Sequence, residues 1–127
     1  MNKVQHFEIP ADNIDRAQEF YKNIFEWKSV DWPMNDETYH VFDSGIAKNE
    51  KNMTIEPGAI DGAVVKRGEE KGVVIFISVK SIDDIVKKAE AQGGRMIGSK
   101  LIVKGMGDYA RIIDSEGNII GLWEEEK

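Results

Sequence analysis

The chain opens on an alternating pattern of apolar and polar residues. Phe7 and Ile9 share one face of this pattern, while His6 and Glu8 lie on the other. Such alternation is typical of a strand with one buried face, since successive side chains point to opposite sides of a sheet. Pro10 is expected to end the strand, because proline has no N–H to donate to a ladder.

A helix is predicted directly after this strand. Asp12 is expected to be its N-cap, with Asp15 three residues later as a weaker form of the capping box. Over residues 13–25 the apolar side chains recur with the 3.6-residue period of an amphipathic helix, namely Ile14, Ala17, Phe20, Tyr21, Ile24 and Phe25. One face of this helix should therefore pack on a sheet.

The second half of the chain repeats this order. Residues 73–79 predict a more deeply buried strand, and Ser81 with Asp84 repeats the cap signature before a helix at 82–92. Gly93-Gly94 is expected to end this helix, since one of the two glycines suits the left-handed position that follows many helices.

The two halves align with an offset of 68 residues when their helices are superposed. The same offset places Phe7 on Ile75 and Ile9 on Ile77, so the buried faces of the two strands agree. All four side chains are expected to lie beneath a helix.

Further strand-like segments follow each helix, separated by turns rich in Gly, Pro, Asp and Ser. They are residues 27–32, 38–43 and 62–66 in the first half, and 95–103, 109–113 and 118–123 in the second. Each half therefore predicts a βαβββ module, at about 1–67 and about 72–127, within a single α+β domain of 127 residues. The polar stretch 47–53 is expected to form a surface loop.

Composition and charge exclude several classes of function. A net charge of −6 without a basic cluster argues against nucleic-acid binding. The absence of cysteine excludes disulfides and thiolate metal sites. The longest apolar run, at 73–77, is far shorter than the ~20 residues of a membrane-spanning helix. Since the N-terminal residues also lack the apolar segment of a secretory signal, we expect a cytoplasmic protein that binds neither nucleic acid nor membrane.

Several motifs occur in an order that resembles one superfamily. They are His6-Phe7-Glu8-Ile9-Pro10, Arg16-Ala17, Phe20-Tyr21, Phe25-Glu26-Trp27, Ser81-Ile82-Asp83, Gly93-Gly94, Asp114-Ser115-Glu116-Gly117-Asn118 and Gly121-Leu122-Trp123-Glu124. Together they resemble the vicinal oxygen chelate superfamily of glyoxalases, bleomycin-resistance proteins and extradiol dioxygenases. The Gly-Leu-Trp-Glu ending resembles the subgroup of predicted glyoxalase-related proteins. Glu26 is a departure, because the family usually has glycine there.

The resemblance implies a fold, a cavity and a partner. It implies two βαβββ modules that form a curved eight-stranded mixed sheet around a cavity, with the helices on the outer face. In the catalytic members a divalent metal in this cavity acts as a Lewis acid, and its ligands come from the first and last strands of each module. Family domains of this length commonly pair, so a homodimer is also implied.

Only one of the four implied metal positions carries a donor atom. The first position falls on His6, and the others fall on Val74, Gly121 and, within one residue, Gly62. Because one imidazole would hold a divalent ion too weakly, we expect no resident metal, although a rebuilt site stays possible. The donors that the sequence offers for a rebuilt site are Glu8, Tyr39, His40, Tyr109 and Glu124.

We therefore predict a protein that binds a small organic molecule in the cavity, in the manner of the bleomycin-resistance members. The residues expected to contact this ligand are His6, Glu8, Tyr39, Val74, Phe76, Tyr109 and Trp123, with Val64 on the same apolar face. His6 and Glu8 are also the candidates for acid or base catalysis, and a purely structural role for His6 stays open. The alternative is a metal-dependent lyase, isomerase or dioxygenase with a rebuilt metal site.

Overall fold

The structure, a computed structural model, describes residues 1–34, 37–43, 56 and 58–126. Its elements are β1 (Val4–Ala11), α1 (Ile14–Phe25), β2 (Lys28–Met34), β3 (Glu37–Asp43), β4 (Asp61–Lys66), β5 (Val74–Ser78), α2 (Ile82–Ala91), β6 (Arg95–Val103), β7 (Gly107–Ile113) and β8 (Ile119–Glu125). Each predicted helix and strand is present, and its ends differ from the prediction by two residues at most. The loop predicted at 47–53 lies outside the described residues.

The strands form an eight-stranded sheet in the order β2-β3-β4-β1-β5-β8-β7-β6. β1 pairs with β4, and β5 with β8, in parallel. The pairs β2·β3, β3·β4, β6·β7 and β7·β8 are antiparallel. The mixed sheet and the two helices confirm the predicted α+β class. No helix among the described residues is both long and apolar enough to cross a membrane.

The chain divides into two compact units. The first unit is His6–Val73, and the second is Met1–Gln5 together with Val74–Lys127. In each unit the first strand of the βαβββ order pairs in parallel with the last, so the two have the same connectivity. The N-terminal segment joins the second unit, where the backbone N–H of Ser78 donates to the carbonyl of Lys3 at 2.8 Å.

The core of the first unit lies between α1 and its sheet. Its buried residues are Ala11, Phe42 and Val64, and the partly buried residues packed against them are Phe7, Ile9, Ile14, Ala17, Tyr21 and Trp27. The positions of Phe7 and Ile9 confirm the face predicted for them. The prediction that Val64 lies on the opposite face was wrong, because the pairing of β1 with β4 sets Val64 beside Ile9.

The core of the second unit lies beneath α2. Its buried residues are Val79, Ile82, Ala110, Ile112 and Leu122, and those partly buried around them are Ile77, Ile85, Val86, Ala89, Met96 and Ile120. Ile77 therefore lies where it was predicted. Ile75 was expected beneath the helix as well, but it is 39% exposed. The reason is that α2 packs mainly over β6, β7 and β8, which leaves Ile75 on β5 partly uncovered.

The start of α1 differs from the prediction by one residue. Asn13, not Asp12, is the N-cap, and its side-chain oxygen accepts a hydrogen bond from the backbone N–H of Arg16 at 2.9 Å. Asp12 pairs instead with the guanidinium of Arg67 at 2.9 Å. β1 also continues through proline to its last residue, whose carbonyl accepts from the backbone N–H of Arg67 at 3.0 Å. The missing N–H of Pro10 therefore does not end the strand.

The remaining helix ends follow the sequence signals. Ser81 caps α2 as predicted, since its hydroxyl accepts from the backbone N–H of Asp84 at 3.2 Å. Left-handed residues follow both helices, Glu26 with φ of 61° and Gly93 with φ of 97°. Among the described residues Glu26 is the only non-glycine residue with positive φ. That conformation costs an L-residue about 1–2 kcal/mol, so Glu26 places strain at this turn.

Candidate functional site

Three polar side chains meet on the face of the first unit that lies opposite α1. β1 presents His6 and Glu8 on this face, since residues two apart in a strand point the same way. β3 brings Tyr39 to them, with its hydroxyl 2.6 Å from Nε2 of His6 and donating to Oε2 of Glu8 at 2.7 Å. We call His6, Glu8 and Tyr39 the polar cluster. All three were predicted as ligand contacts, and the structure brings them together.

Glu8 is the most deeply buried member of the polar cluster. It is 4% exposed, whereas His6 and Tyr39 are half-buried. A carboxylate removed from water needs hydrogen bonds to offset its lost solvation, and Tyr39 supplies one. The pairing of β1 with β4 also sets Asp61 beside His6. Sequence reasoning missed Asp61, because only the register between these two distant strands reveals it.

The corresponding face of the second unit is mainly aromatic. Phe76 is 3% exposed, and its ring centroid lies 6.2 Å from that of Tyr109. The guanidinium carbon of Arg111 lies 5.9 Å from the centre of the Phe76 ring, within the range of a cation–π contact. Val74, on the same side of β5, is 2% exposed. We call Val74, Phe76, Tyr109, Arg111 and Trp123 the aromatic face.

Arg111 is a second residue that sequence reasoning missed. The signal was its alternation with Ala110 and Ile112, both of which are buried in the core under α2. Trp123 pairs with Tyr109 across β7 and β8. Its indole Nε1 is buried and has no hydrogen-bond partner within the described part of the chain. The predicted contacts Val74, Phe76, Tyr109 and Trp123 thus share one face of one unit.

Two residues considered for a rebuilt metal site have other roles. Nδ1 of His40 lies 2.9 Å from Oδ1 of Asp31, and His40 shares its side of β3 with the buried Phe42, beneath α1. Oε1 of Glu124 accepts a hydrogen bond from the backbone N–H of Ile82 at 2.7 Å, so this carboxylate caps the start of α2. Neither residue can supply a ligand beside the polar cluster.

The strand register identifies the fourth of the positions that the resemblance implies for a metal. In the second unit Gly121 lies opposite Phe76. The equivalent of Phe76 in the first unit is Glu8, which lies opposite Ala63. The fourth position is therefore Ala63, which lies within the one-residue range predicted around Gly62. Gly62 faces the α1 side of the sheet, where an aromatic ring of β1 packs directly against it.

The residues at these four positions do not fit the superfamily's metal. His6 has a donor atom, but Ala63, Val74 and Gly121 have none. A Cβ atom at position 121 would lie 2.3 Å from the ring of Phe76, so the structure has no room for a longer side chain there. Across the described residues, no group of three or more His, Asp or Glu side chains could hold a metal ion.

Comparison with known proteins finds solved structures of similar fold. No protein-family model matches the sequence, and no curated protein matches it. A Streptomyces coelicolor methylmalonyl-CoA epimerase in complex with 2-nitronate-propionyl-CoA has a TM-score of 0.66 at 14% identity, covering 100% of this chain and 99% of that one. A hypothetical protein from Bacillus halodurans C-125 has a TM-score of 0.65 at 18% identity, covering 99% and 96%. A methylmalonyl-CoA epimerase from Mycobacterium tuberculosis has a TM-score of 0.60 at 16% identity, covering 98% and 88%.

These similarities show the fold that the sequence motifs implied. Methylmalonyl-CoA epimerase is a member of the vicinal oxygen chelate fold, so the chain shares the fold of that superfamily. Sequence identities of 18% or below carry no substrate or reaction from these proteins to this chain.

Proposed function

We propose that the protein binds a small organic molecule against the polar cluster, without the metal of the superfamily. It would then act in the manner of the bleomycin-resistance members. The observation that supports this proposal is the buried Glu8, joined through Tyr39 to His6 by two short hydrogen bonds. A few polar anchors set in an apolar surface are typical of small-molecule sites.

Organic acids and flat aromatic compounds are the proposed ligands. An imidazolium at His6 can pair with a carboxylate, and the ring of Tyr39 in the same cluster offers a surface on which a flat ligand can stack. The epimerase from Streptomyces coelicolor is in complex with 2-nitronate-propionyl-CoA, so an acyl-CoA belongs among the compounds tested.

Thermal unfolding with succinate, benzoate and propionyl-CoA tests the proposal. We expect at least one of them to raise the melting temperature, since a ligand at one hundred times its Kd adds about 2.7 kcal/mol to the free energy of unfolding. His6→Ala and Glu8→Gln should each abolish the shift. His40→Ala is the matched control, because His40 lies on the α1 side and pairs with Asp31. No shift for any of the three compounds, or a shift that survives His6→Ala, would contradict the proposal.

Elemental analysis tests the metal part of the proposal separately. Protein purified without chelator should hold no stoichiometric zinc, nickel, manganese or iron, and EDTA should leave its melting temperature unchanged. One equivalent of a transition metal that is lost in His6→Ala would restore the alternative, a metal-dependent lyase, isomerase or dioxygenase.

We also propose that the protein is a homodimer. Two side chains of the apolar face of α1 that was predicted to pack on the sheet are exposed instead and support this, Phe20 at 54% and Ile24 at 60%. Light scattering at tens of micromolar should give twice the chain mass, and a monomeric mass would remove the proposal.

Two further proposals rest on the sequence alone. The Gly-Leu-Trp-Glu ending supports a place in the subgroup of predicted glyoxalase-related proteins, and the composition supports a cytoplasmic location.

A further inference from the structure

The polar cluster holds three ionisable side chains in series. Nε2 of His6 lies 2.6 Å from the Tyr39 hydroxyl, which donates to Glu8 at 2.7 Å. A tyrosine hydroxyl has one proton, so while that proton points to Glu8 the other bond must be donated by His6. Distances of this kind are typical of charge-assisted hydrogen bonds. Tyr39 is thus bonded to an imidazole on one side and a buried carboxylate on the other.

We propose that His6, Tyr39 and Glu8 form a proton relay in which Tyr39 passes one proton between the imidazole and the carboxylate. In one state His6 is an imidazolium and Glu8 a carboxylate. The Nε2 proton moves to the Tyr39 oxygen while the Tyr39 proton moves to Glu8, which leaves a neutral imidazole and a carboxylic acid. Tyr39 is neutral in both states, and the number of protons is unchanged.

The relay deepens the proposed function and rests on it, because it concerns the side chains proposed to contact the ligand. A carboxyl or carbonyl compound at this site could receive a proton from His6 or lose one to Glu8. Tyr39 would then pass a proton between His6 and Glu8 and restore the starting state. The ligand class is therefore an organic molecule with an oxygen or an acidic group that exchanges a proton.

Other charged groups of the first unit can be separated from the relay. Asp61 on β4 is paired with His6 in the strand register, so it lies on the same face of the sheet as the polar cluster. Asp31 on β2 pairs with His40 on the opposite side of the sheet, and α1 packs on that side too. Asp61→Asn therefore measures the separate contribution of the neighbouring carboxylate.

Proton NMR of the ligand-free protein tests the relay. The chain has two histidines, so the C2–H region contains two titrating signals, from His6 and His40. We expect Tyr39→Phe and Glu8→Gln each to lower the titration midpoint of His6 by about one pH unit. Each substitution removes the hydrogen-bonded connection between the imidazole and the negative charge of the carboxylate. The double variant should show no further shift, since the two residues act as one unit. The His40 signal should follow the same curve in every variant.

The controls keep the test decisive. Tyr21→Phe removes the same hydroxyl group from α1, where Tyr21 stacks on Trp27, and should leave the His6 titration unchanged. Unfolding of Tyr39→Phe would collapse both histidine signals, and Glu8→Gln would then carry the test alone. An unchanged His6 midpoint, or shifts that add in the double variant, would overturn the relay. Because no ligand is present, this result is independent of whether the proposed binding is found.

Discussion

The two units have the same connectivity but carry opposite chemistry at equivalent positions. In the first unit Glu8 lies opposite Ala63, and in the second Phe76 lies opposite Gly121. Both Glu8 and Phe76 are buried, at 4% and 3% exposure. A small residue on the last strand thus supports a carboxylate in one unit and a phenyl ring in the other.

A tyrosine occupies the same register position in both units. Tyr39 stands two positions before the β3 residue that pairs with Ala63. Tyr109 likewise stands two positions before the β7 residue that pairs with Gly121. Tyr39 donates its proton to a carboxylate, whereas Tyr109 packs its ring against Phe76. The partner on the first strand, and not the tyrosine itself, decides which interaction forms.

The other face of the sheet is alike in the two units. Val64 and Leu122 occupy equivalent positions and are fully buried beneath α1 and α2 respectively. Close packing beneath a helix favours apolar side chains of suitable volume, so these two positions have kept the same character. The comparison teaches that the helix side maintains the fold, while the opposite side is free to differ in chemistry.

The largest expected effect is on the helix side of the second unit. Leu122→Ala should lower the free energy of unfolding by about 2–5 kcal/mol, because it leaves a cavity in a closed core. Val64→Ala, its equivalent, should cost about 1.5–3 kcal/mol, since less apolar volume is lost. Leu101→Ala is the control, because Leu101 is 43% exposed. Urea unfolding with unchanged m-values measures all three, and equal losses at Leu122 and Leu101 would contradict the assignment of the core.

The contact between Gly121 and Phe76 can be broken by a single methyl group. Gly121→Ala should destabilise the protein by about 1–3 kcal/mol, because the added Cβ would lie 2.3 Å from the ring. Gly72→Ala is the matched control, since no atom lies within 4 Å of a Cβ at that position. Adding Phe76→Leu to Gly121→Ala should recover part of the loss in thermal unfolding. A double variant less stable than Gly121→Ala alone would show that the ring is not the obstacle.

The turns after the two helices carry different residues, and substitutions there should change the stability in opposite directions. Glu26→Gly should stabilise the protein by about 1 kcal/mol, because the left-handed turn after α1 then carries no Cβ. Gly93→Ala should destabilise the end of α2 by about the same amount. Glu26→Gln keeps the strain and removes only the charge, so it should change the stability by less than about 0.5 kcal/mol. If Glu26→Gln stabilises as much as Glu26→Gly, charge and not backbone strain is responsible.

The smallest expected effect concerns the turn between β7 and β8. A hydrogen bond from the backbone N–H of Asn118, followed by one from Glu116, lowers the pKa of Asp114 below its ordinary value of 3.8. The folded state therefore favours the carboxylate, and this stabilisation is present above pH 3.8 and is lost as the pH falls towards the lowered pKa. Asp114→Asn should make the acid-induced fall in melting temperature less steep. An unchanged slope below that pH would contradict the role of this turn.

The local elements of the protein follow from its sequence alone. The 3.6-residue spacing of Ile14, Ala17 and Tyr21 marks α1, and the alternation of Phe7 with Glu8 marks β1 and its two faces. Both patterns reflect the geometry of a single segment, so no knowledge of distant residues is needed. For the same reason the sequence already indicates that His6 and Glu8 point to one side.

Tertiary structure decided which residues meet. Tyr39 reaches Glu8 only because β4 lies between β3 and β1 in the sheet. These strands are far apart in the chain, so no local pattern reveals the contact. The assignment of Ala63 instead of Gly62 likewise depends on register, where a slip of one residue reverses the face of every side chain. The exposure of Ile75 depends on which strands α2 covers. Hydrophobic periodicity specifies which face of a segment is buried, but only the packed chain determines which other segment covers it.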